Sequence, residues 1–488
     1  MQGAAESRLF SLPEQTVPWP ALVVDLDGTL LKTDLLLESV LALLKRRPYC
    51  LFILPFWLLK GKAYMKQQIA GRVSLDVTVL PYRDDLLEYL RTQRAEGRTI
   101  ALASASDIQT VQQVADHLKI FDLIFASDGI TNLAGEAKRD RLVTQFGERG
   151  FDYAGNDRCD LEVWSSARRA ILVSPARTVL SRIQRVAPVD RVFEGPKEGF
   201  TDYLKPFRLS HWFKNIPVFV PLLAAHRFLE MDLLERVLLA FLAFGCFASA
   251  GYMLNDLSDL SEDRHHPHKR FRAFAAGDIP LSYGLLMIPA LLGVGCLIGV
   301  LVSWPFLATA VAYFALSLAY SLCLKKIALL DVIVLACLYT MRIMAGSVAV
   351  GIWPSHWLLA FATFFFFGLA LVKRYSELVI VRAAHGDGAG ARGYDASDGE
   401  LLAAMGVASG YISVLVLALY VNTDKAQVLY GRYQLIWFLC ALLFYWISHV
   451  WLTAHRGKMP DDPVVFAMSD RTSRILLLLM FAVTMLAL

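Results

Sequence analysis

Residues 255–272 read NDLSDLSEDRHHPHKRFR and follow directly on an apolar stretch that ends in Tyr252-Met253-Leu254. If that helix continues, Asn255, Asp259 and Asp263 fall at i, i+4 and i+8 on one face, with Asp256 adjacent. Oxygen-bearing side chains one turn apart suit a hard divalent cation, and Mg²⁺ commonly bridges carboxylates to substrate phosphates. His266-Pro267 then leads to Lys269, Arg270 and Arg272, a basic set able to hold further phosphate oxygens. The plainer alternative is a solvated loop between membrane helices. Against it, carboxylates gathered at a membrane edge are costly unless they serve a site.

The 488-residue chain is 56% hydrophobic with a mean hydropathy of +0.47, which fits a polytopic membrane protein. Charge is uneven along it. Residues 1–200 carry charges at soluble density, whereas long apolar runs dominate the remainder. The shift predicts two domains, 1–195 and 200–488, joined through Pro188, Gly195, Pro196 and Gly199. A net charge of +4, with its cations beside apolar runs, gives no case for a nucleic-acid partner. The seven cysteines (50, 159, 246, 296, 323, 337, 440) form no CxxC pair and no metal-ligand spacing, as expected of packing residues in a reducing compartment. Residues 1–15, MQGAAESRLFSLPEQ, lack a basic n-region and an apolar h-region, so the first domain is expected to stay in the cytoplasm.

Apolar segments fall at 209–226, 233–254, 281–302, 305–323, 328–350, 356–373, 401–421, 434–454 and 473–488, about nine spans. Pro217, Pro221, Pro305 and Pro354 interrupt some of them. With the amino-terminal domain inside, inner loops hold Arg264, Lys269, Arg270 and Arg272, then Lys325 and Lys326, then Lys373, Arg374, Arg382 and Arg392, then Arg456, Lys458, Arg471 and Arg474. Outer loops hold only Arg227, Arg236, Lys425 and Arg432, so the positive-inside rule is satisfied. This predicts a multi-pass protein of a bacterial-type inner (plasma) membrane. Lysines at helix ends can simply snorkel to headgroups, and Lys326 and Arg374 are open to that reading. Arg342, near mid-span, needs an internal partner. No strand precedes the Gly-rich stretch 385–393, which therefore reads as a loop rather than a phosphate cradle.

The pattern Asn255-Asp256-x-x-Asp259-x-x-x-Asp263, with His266-Pro-x-Lys269-Arg270-x-Arg272, resembles the first Asp-rich motif of the UbiA superfamily of intramembrane prenyltransferases. Most members carry a second Asp-rich motif after the sixth helix; here the chain reads KRYSEL (373–378), with Glu377 the acid at hand. HWFKN (211–215), YSLCLKK (320–326), Arg342 and KRYSEL together are similar to the polyprenyl-phosphate phosphoribosyltransferase branch. Ala273 stands where that branch usually has proline. The resemblance implies transfer of 5-phosphoribose from phosphoribosyl pyrophosphate (PRPP) to a membrane polyprenyl phosphate. Mg²⁺ on Asn255, Asp256, Asp259 and Asp263 is then expected at the diphosphate, with Lys269, Arg272, Lys325 and Lys373 offsetting phosphate charge. Lys214, Asn215, Tyr320, Lys326, Arg342, Arg374 and Glu377 are expected to bind substrate. A homo-oligomer is compatible with all of this.

In the soluble half, Ala21–Val24 reads as a buried strand running into Asp25-Leu26-Asp27-Gly28-Thr29. Two carboxylates two residues apart at a strand end point the same way, one for attack and one for proton transfer. The run resembles motif I of the haloacid-dehalogenase (HAD) phosphatases, and implies an α/β Rossmannoid parallel sheet with a helical cap near 34–80. A second strand, 99–103, ends at Ser104, which matches the family's phosphate-binding hydroxyl; Lys138 matches the lysine that neutralises phosphoryl oxygens. Asn156, Asp157 and Asp160 match the acidic motif that completes, with Asp25 and Asp27, a second Mg²⁺ site. Asparagine at 156 departs from the family's acid, so a non-catalytic regulatory module is the rival for this domain. The stretch 49–59, YCLFILPFWLL, is too short to span a bilayer and is either a buried cap helix or an interfacial one.

The fusion suggests a sequence of two reactions. The membrane domain makes a 5-phosphorylated polyprenyl-phosphoryl ribose, and the HAD domain dephosphorylates it for cell-envelope pentose synthesis. The rival for the membrane domain is an aromatic, quinone-type prenyltransferase using a prenyl diphosphate.

Overall fold

The computed structural model describes residues 19–175, 177–195, 199–385, 393–460 and 462–488. Residues 1–15, expected to hold no leader, lie outside them, as do Pro196 of the join and residues 386–392 with Arg392. The described chain forms two compact units. One comprises the residues up to Tyr203 together with Asp256–Gly284, and the other Leu204–Asn255 with Leu285–Leu488. The acid-rich segment, assigned from sequence to the membrane half, thus packs with the first unit.

That first unit is built on six parallel strands: β1 (Ala21–Asp25), β2 (Ile100–Asp107), β3 (Leu123–Ser127), β4 (Phe151–Gly155), β5 (Ala170–Val173) and β6 (Val189–Phe193). Their order is β3-β2-β1-β4-β5-β6. β1 is buried along its whole length, as a central parallel strand covered on both faces must be. Its residues alternate between two cores. Leu22 and Val24 join Leu102, Ile171 and Val173 on one face; Ala21 and Val23 join Ala101, Phe151 and Trp164 on the other. The chain leaves β1 in one direction through β2 and β3, then returns to β4 on its other side. The carboxyl ends of β1 and β4 therefore flank the crevice where such sheets bind ligands. The second strand is longer than the expected 99–103, and a register irregularity between Ala103 and Asp107 lets it carry Ser104 and Ser106 to that crevice.

Between β1 and the helix Asp84–Ala95 lie three cap helices: α1 (Leu35–Arg46), α2 (Cys50–Leu59) and α3 (Lys62–Ala70). Asp34 caps α1 by accepting from the Leu37 amide at 3.0 Å.

Among the described residues of the second unit and its junction, seven helices are long and apolar enough to cross a membrane: Met231–Ser258, Leu281–Val302, Trp304–Leu322, Leu330–Val350, His356–Arg382, Gly399–Val421 and Tyr433–His455. The other two expected spans differ. Segment 209–226 is a 3₁₀ stretch, Leu209–Phe219, followed by the short helix Val220–Ala224, with Pro217 and Pro221 preventing a continuous α-helix. Segment 473–488 lies in a helix, Arg471–Ala487, of only 17 residues. Gly346 sets how the 3₁₀ stretch packs. A Cβ there would meet the Val218 carbonyl oxygen at 1.9 Å, so only glycine lets that stretch lie against helix Leu330–Val350.

Candidate active sites of the two units

Asp25 ends β1, and Asp27 lies in the tight turn beyond it, where Gly28 adopts a φ of 75°. A Cβ on Gly28 would come within 2.4 Å of the Asn156 amide nitrogen, so the turn and the approach of Asn156 both require glycine. Thr29 Oγ1 lies 3.1 Å from Asp25 Oδ2 and 3.1 Å from Asn156 Oδ1. Lys138 donates to Asp25 Oδ1 at 2.7 Å and to the Tyr153 hydroxyl at 3.1 Å. Asp27 is held on both oxygens: the Leu35 amide donates to Oδ1 at 2.8 Å, and Ser104 and Ser106 donate to Oδ2 at 3.0 and 2.8 Å. Burial pushes the Asp25 carboxyl up to about 7; Lys138 pulls it down, and Asp160 and Asp27 add to the rise. Asp27 is raised as well, first by burial and then by repulsion from Asp34. A buried carboxylate beside a lysine, with a second carboxyl two residues on, has the groups needed for nucleophilic attack and proton transfer.

The acidic motif after β4 divides differently from the sequence expectation. Asn156 reaches the Asp25 turn. Asp157 does not: it is exposed and its carboxylate caps its own turn, accepting from the Arg158 amide at 2.6 Å. Asp160 accepts from the Tyr153 hydroxyl at 2.7 Å and from the Asn156 and Asp157 amides at 3.1 and 3.2 Å, with Lys138 at 3.8 Å. It fixes the loop that presents Asn156. Sequence reading missed Ser106, although its two-residue spacing from Ser104 along a strand was a usable signal. It also missed Lys66 of α3, which donates to the Ala105 carbonyl at 2.6 Å and to Asn132 Oδ1 at 2.7 Å and so ties the cap to the loop beside Ser104.

The acid-rich segment is not one continuous helix. Helix Met231–Ser258 ends before Asp259, whose φ of −102° and ψ of 19° break it, and a short helix Leu260–His265 comes next. Asn255, Asp259 and Asp263 therefore do not share a helix face. The pair brought together is Asp256 and Asp263, which accept from the same Arg272 Nη1 at 3.1 and 2.6 Å. Asp259 and Glu262 pair instead with Lys45 of the cap, at 3.2 and 2.5 Å. Arg264 pairs with Glu38 of α1 at 2.5 Å, and Thr33 donates to the same carboxylate at 2.9 Å. Lys269 is half-buried on the turn Lys269–Phe271.

In the second unit Lys214, Arg342 and Arg374 each have a partner distant in sequence. Arg342 is buried; its Nε donates to Asn215 Oδ1 at 3.0 Å and its Nη2 to the Tyr313 hydroxyl at 2.7 Å, with the Tyr313 and Tyr339 rings against its plane. This is the internal partner a mid-span arginine requires. The Asn215 amide nitrogen is buried and makes no hydrogen bond among the described residues. Lys214 pairs with Asp462, and the charges of Asp462 and Glu377 act on half-buried Lys373. Arg374 is fully buried, pairing with Asp331 and Glu377 and donating to the Tyr320 hydroxyl at 2.7 Å; Tyr394 donates to Asp331 at 2.5 Å. Arg374 is therefore not a snorkelling cation. Lys325 is half-buried and Lys326 exposed on the turn Leu324–Lys326. Sequence reading missed Asp462 and Tyr394 because nothing local marks an acid or phenol whose partner lies 248 or 63 residues away.

The donors available in both acidic sites are oxygens, the ligand type of Mg²⁺. Asp256 and Asp263 converge on one cationic nitrogen, and Asp25 and Asn156 converge on one hydroxyl. Each pair fits two positions of such a shell. Among the described residues, no group of three or more His, Cys, Asp or Glu is close enough to hold a metal ion by itself.

Residues 216–390 match the model of the UbiA prenyltransferase family. The chain is 36% identical to Uncharacterized protein y4nM of Sinorhizobium fredii over 456 residues, 93% of this chain and 88% of that one. It is 35% identical to the Nodulation protein NoeC of Azorhizobium caulinodans over 283 residues, 58% of this chain and 92% of that one. The C-terminal region belongs to the UbiA prenyltransferase family. The chain is also 37% identical over 196 residues to the decaprenyl-phosphate phosphoribosyltransferase of Mycobacterium tuberculosis, covering 39% of this chain and 64% of that enzyme. Among solved structures, a UbiA homolog from Archaeoglobus fulgidus bound to DMAPP and Mg²⁺ aligns with a TM-score of 0.43 at 16% identity, covering 58% of this chain and 99% of that one. A phosphoserine phosphatase in apo form aligns at 0.27 and 14%, covering 36% and 94%. The segment that matches the UbiA family comes after the unit that carries the DLDGT turn at the end of β1.

Proposed function

We propose that this protein is a bifunctional membrane enzyme that transfers 5-phosphoribose from PRPP to a polyprenyl phosphate and then removes the 5-phosphate. The observation that carries the reading is the cation set of the second unit. Lys373 and Arg374 stand where an acidic motif would gather metal for a prenyl diphosphate, Arg374 as a brace held by Asp331 and Glu377 and Lys373 as the phosphate-binding cation, and the buried Asn215 amide offers an unused donor. A set of this kind suits phosphate oxygens directly. The 37% identity to the Mycobacterium tuberculosis transferase supports the same choice.

In this scheme a polyprenyl phosphate oxygen attacks C1 of the ribose as the bond from C1 to the diphosphate oxygen breaks. The attacking phosphate is already anionic, so no general base is needed, and the protein acts by positioning and charge stabilisation. Lys214, Asn215 and Lys373 bind phosphate oxygens, and Arg342 orients Asn215. Asp256 and Asp263 are the residues that would hold Mg²⁺, which supplies charge neutralisation for the departing diphosphate. In the HAD unit Asp25 attacks the 5-phosphate, Asp27 donates its proton to the ribose C5 oxygen, and Asp27 then takes a proton from the water that cleaves the aspartyl phosphate. Lys138 neutralises the phosphoryl oxygens. Asp25 and Asn156 would hold the metal there. The positive-inside pattern supports a plasma-membrane protein with the HAD unit in the cytoplasm.

The test is incubation of the purified full chain with PRPP labelled in the ribose and a polyprenyl phosphate, then analysis of the lipid phase. Labelled lipid, first with and then without a 5-phosphate, is the expected outcome. Prenylation of 4-hydroxybenzoate by a prenyl diphosphate, with no pentose reaching lipid, would overturn the proposal in favour of an aromatic prenyltransferase.

A further inference from the structure

The cap presents an apolar surface that neither reaction uses. In α2, CLFILPFWLL, every residue is apolar. Cys50, Leu54 and Trp57, at i, i+4 and i+7, face the small core of the cap with Leu43, Ile69 and Val73. The opposite side is exposed: Leu51 (56%), Phe52 (75%), Phe56 (67%) and Leu59 (84%). Ten residues cannot span a bilayer, and a contiguous exposed patch of this kind marks an interaction surface.

Two observations say what covers it. The first is charge. Between Glu38 and Asp76 the chain carries Lys45, Arg46, Arg47, Lys60, Lys62, Lys66 and Arg72 and no Asp or Glu. Arg46 and Arg47 precede α2 and Lys60 and Lys62 come after it, all exposed, so cations bracket the apolar side at both ends. That is the composition of a helix lying among anionic headgroups. The second is position. Lys45, at the end of α1, is tied to Asp259 and Glu262, one and four residues past the end at Ser258 of a helix able to cross the membrane. The cap is therefore fastened to the segment that directly continues that helix.

We propose that α2 is an interfacial helix whose Phe52, Phe56 and Leu59 side enters the headgroup layer of the bilayer that the same chain spans. A short link, Lys60-Gly61, separates it from α3, whose Lys66 bonds beside Ser104. The cap would then hold the catalytic crevice of the HAD unit at the membrane surface and favour lipid-borne phosphomonoesters over soluble ones. This catalytic consequence rests on the phosphatase reading of the HAD unit, whereas membrane contact does not.

The experiment uses the full chain in nanodiscs containing anionic phospholipid, with a photoreactive phenylalanine analogue at Phe52 or Phe56. A control carries it at Glu148, exposed in the loop before β4, at the amino-terminal ends of the strands and so at the opposite end of the sheet from the cap. Phospholipid adducts at positions 52 and 56 and none at 148 are expected. Cross-links only between protein chains would mean that a second copy covers the patch, and absence of any adduct would mean that nothing does; either overturns the proposal. The triple variant F52S/F56S/L59S, which leaves the buried side of α2 intact, should lose hydrolysis of a lipid-borne phosphomonoester roughly tenfold while cleaving a small soluble one unchanged. Equal loss on both substrates would overturn the catalytic consequence. Loss of neither, with lipid adducts present, would leave the membrane contact standing and remove its link to substrate choice.

Discussion

Around Asp25 the first unit sets two buried carboxylates, Asp25 and Asp160, and the half-buried Asp27 against one buried lysine, Lys138, which reaches Asp25 from the helix Glu136–Phe146. The interior of the second unit reverses the balance. Arg342, Arg374, Lys214 and Lys373 outnumber Asp331, Glu377 and Asp462, and the bonds of Arg342 to Asn215, of Arg374 to Asp331 and of Lys214 to Asp462 join segments far apart in sequence. The first arrangement suits covalent attack on a phosphoryl group with a cation added; the second suits holding an anion that keeps its charge. Within the second, cations also divide. Arg374 is saturated by Asp331, Glu377 and Tyr320 and acts as an internal brace, whereas Asn215 retains an unused donor beside Arg342.

The sharpest break between the two regions is Asp25→Asn. An amide of the same size keeps the turn but attacks poorly, so release of phosphate from the lipid product should fall by roughly 10⁴-fold or more while pentose transfer continues. Thin-layer analysis of labelled lipid should show the 5-phosphorylated species accumulating. If wild type also stops at that species, the HAD unit acts on something else.

Asp263→Ala should give the reverse pattern: pentose transfer reduced by roughly 10²–10³-fold, with hydrolysis of a soluble phosphomonoester retained. It removes one of the two carboxylates that meet at Arg272. Unimpaired transfer at ordinary Mg²⁺ would remove the acid-rich segment from the reaction.

Legibility in the sequence divides along the same line. On β1, neighbours in the chain are neighbours in the site, so DLDGT could be read directly, and Ser104 and Lys138 came from the family pattern. The acid-rich run was legible as an acidic site but not in its geometry, because the break at Asp259 moves the convergence from Asp259 to Asp256. Seven of the nine apolar segments lie in helices long and apolar enough to cross a membrane; in the other two, apolarity persists through Pro217 and Pro221 where the α-helix does not, and the last run lies in a helix of 17 residues. Asp462 was illegible: it gains its meaning only when the fold brings Lys214 to it.

Arg374→Ala leaves Asp331, fully buried, without its guanidinium, and breaking such a pair costs about 3–5 kcal/mol. A large fall in thermal midpoint in detergent is expected, far larger than for Lys373→Ala. Lys373→Ala should keep the fold and raise the Michaelis constant for PRPP or polyprenyl phosphate by roughly tenfold, with kcat less affected. Equal destabilisation by both changes would mean that the brace and the ligand-binding cation are not separable.

The smallest effect tests Asn156, which stands where the phosphatase pattern that the first unit resembles has an acid. Asn156 Oδ1 and Asp25 Oδ2 face the same Thr29 hydroxyl, and the Asn156 amide nitrogen fits against Gly28 with no space for a Cβ there. Asn156→Asp is isosteric, so the turn should hold, but it adds a further negative charge beside Asp25. A hard cation shared by the two would then bind more tightly, since one more unit of opposite charge acts on it at contact distance. The Mg²⁺ concentration for half-maximal phosphatase activity should fall by roughly three- to tenfold, with little change in the maximal rate. Without added metal the same substitution should slow the reaction, because the new carboxylate repels the incoming phosphate. An unchanged metal requirement, with the fold intact, would place Asn156 outside the metal shell and leave it as the partner of Thr29 alone.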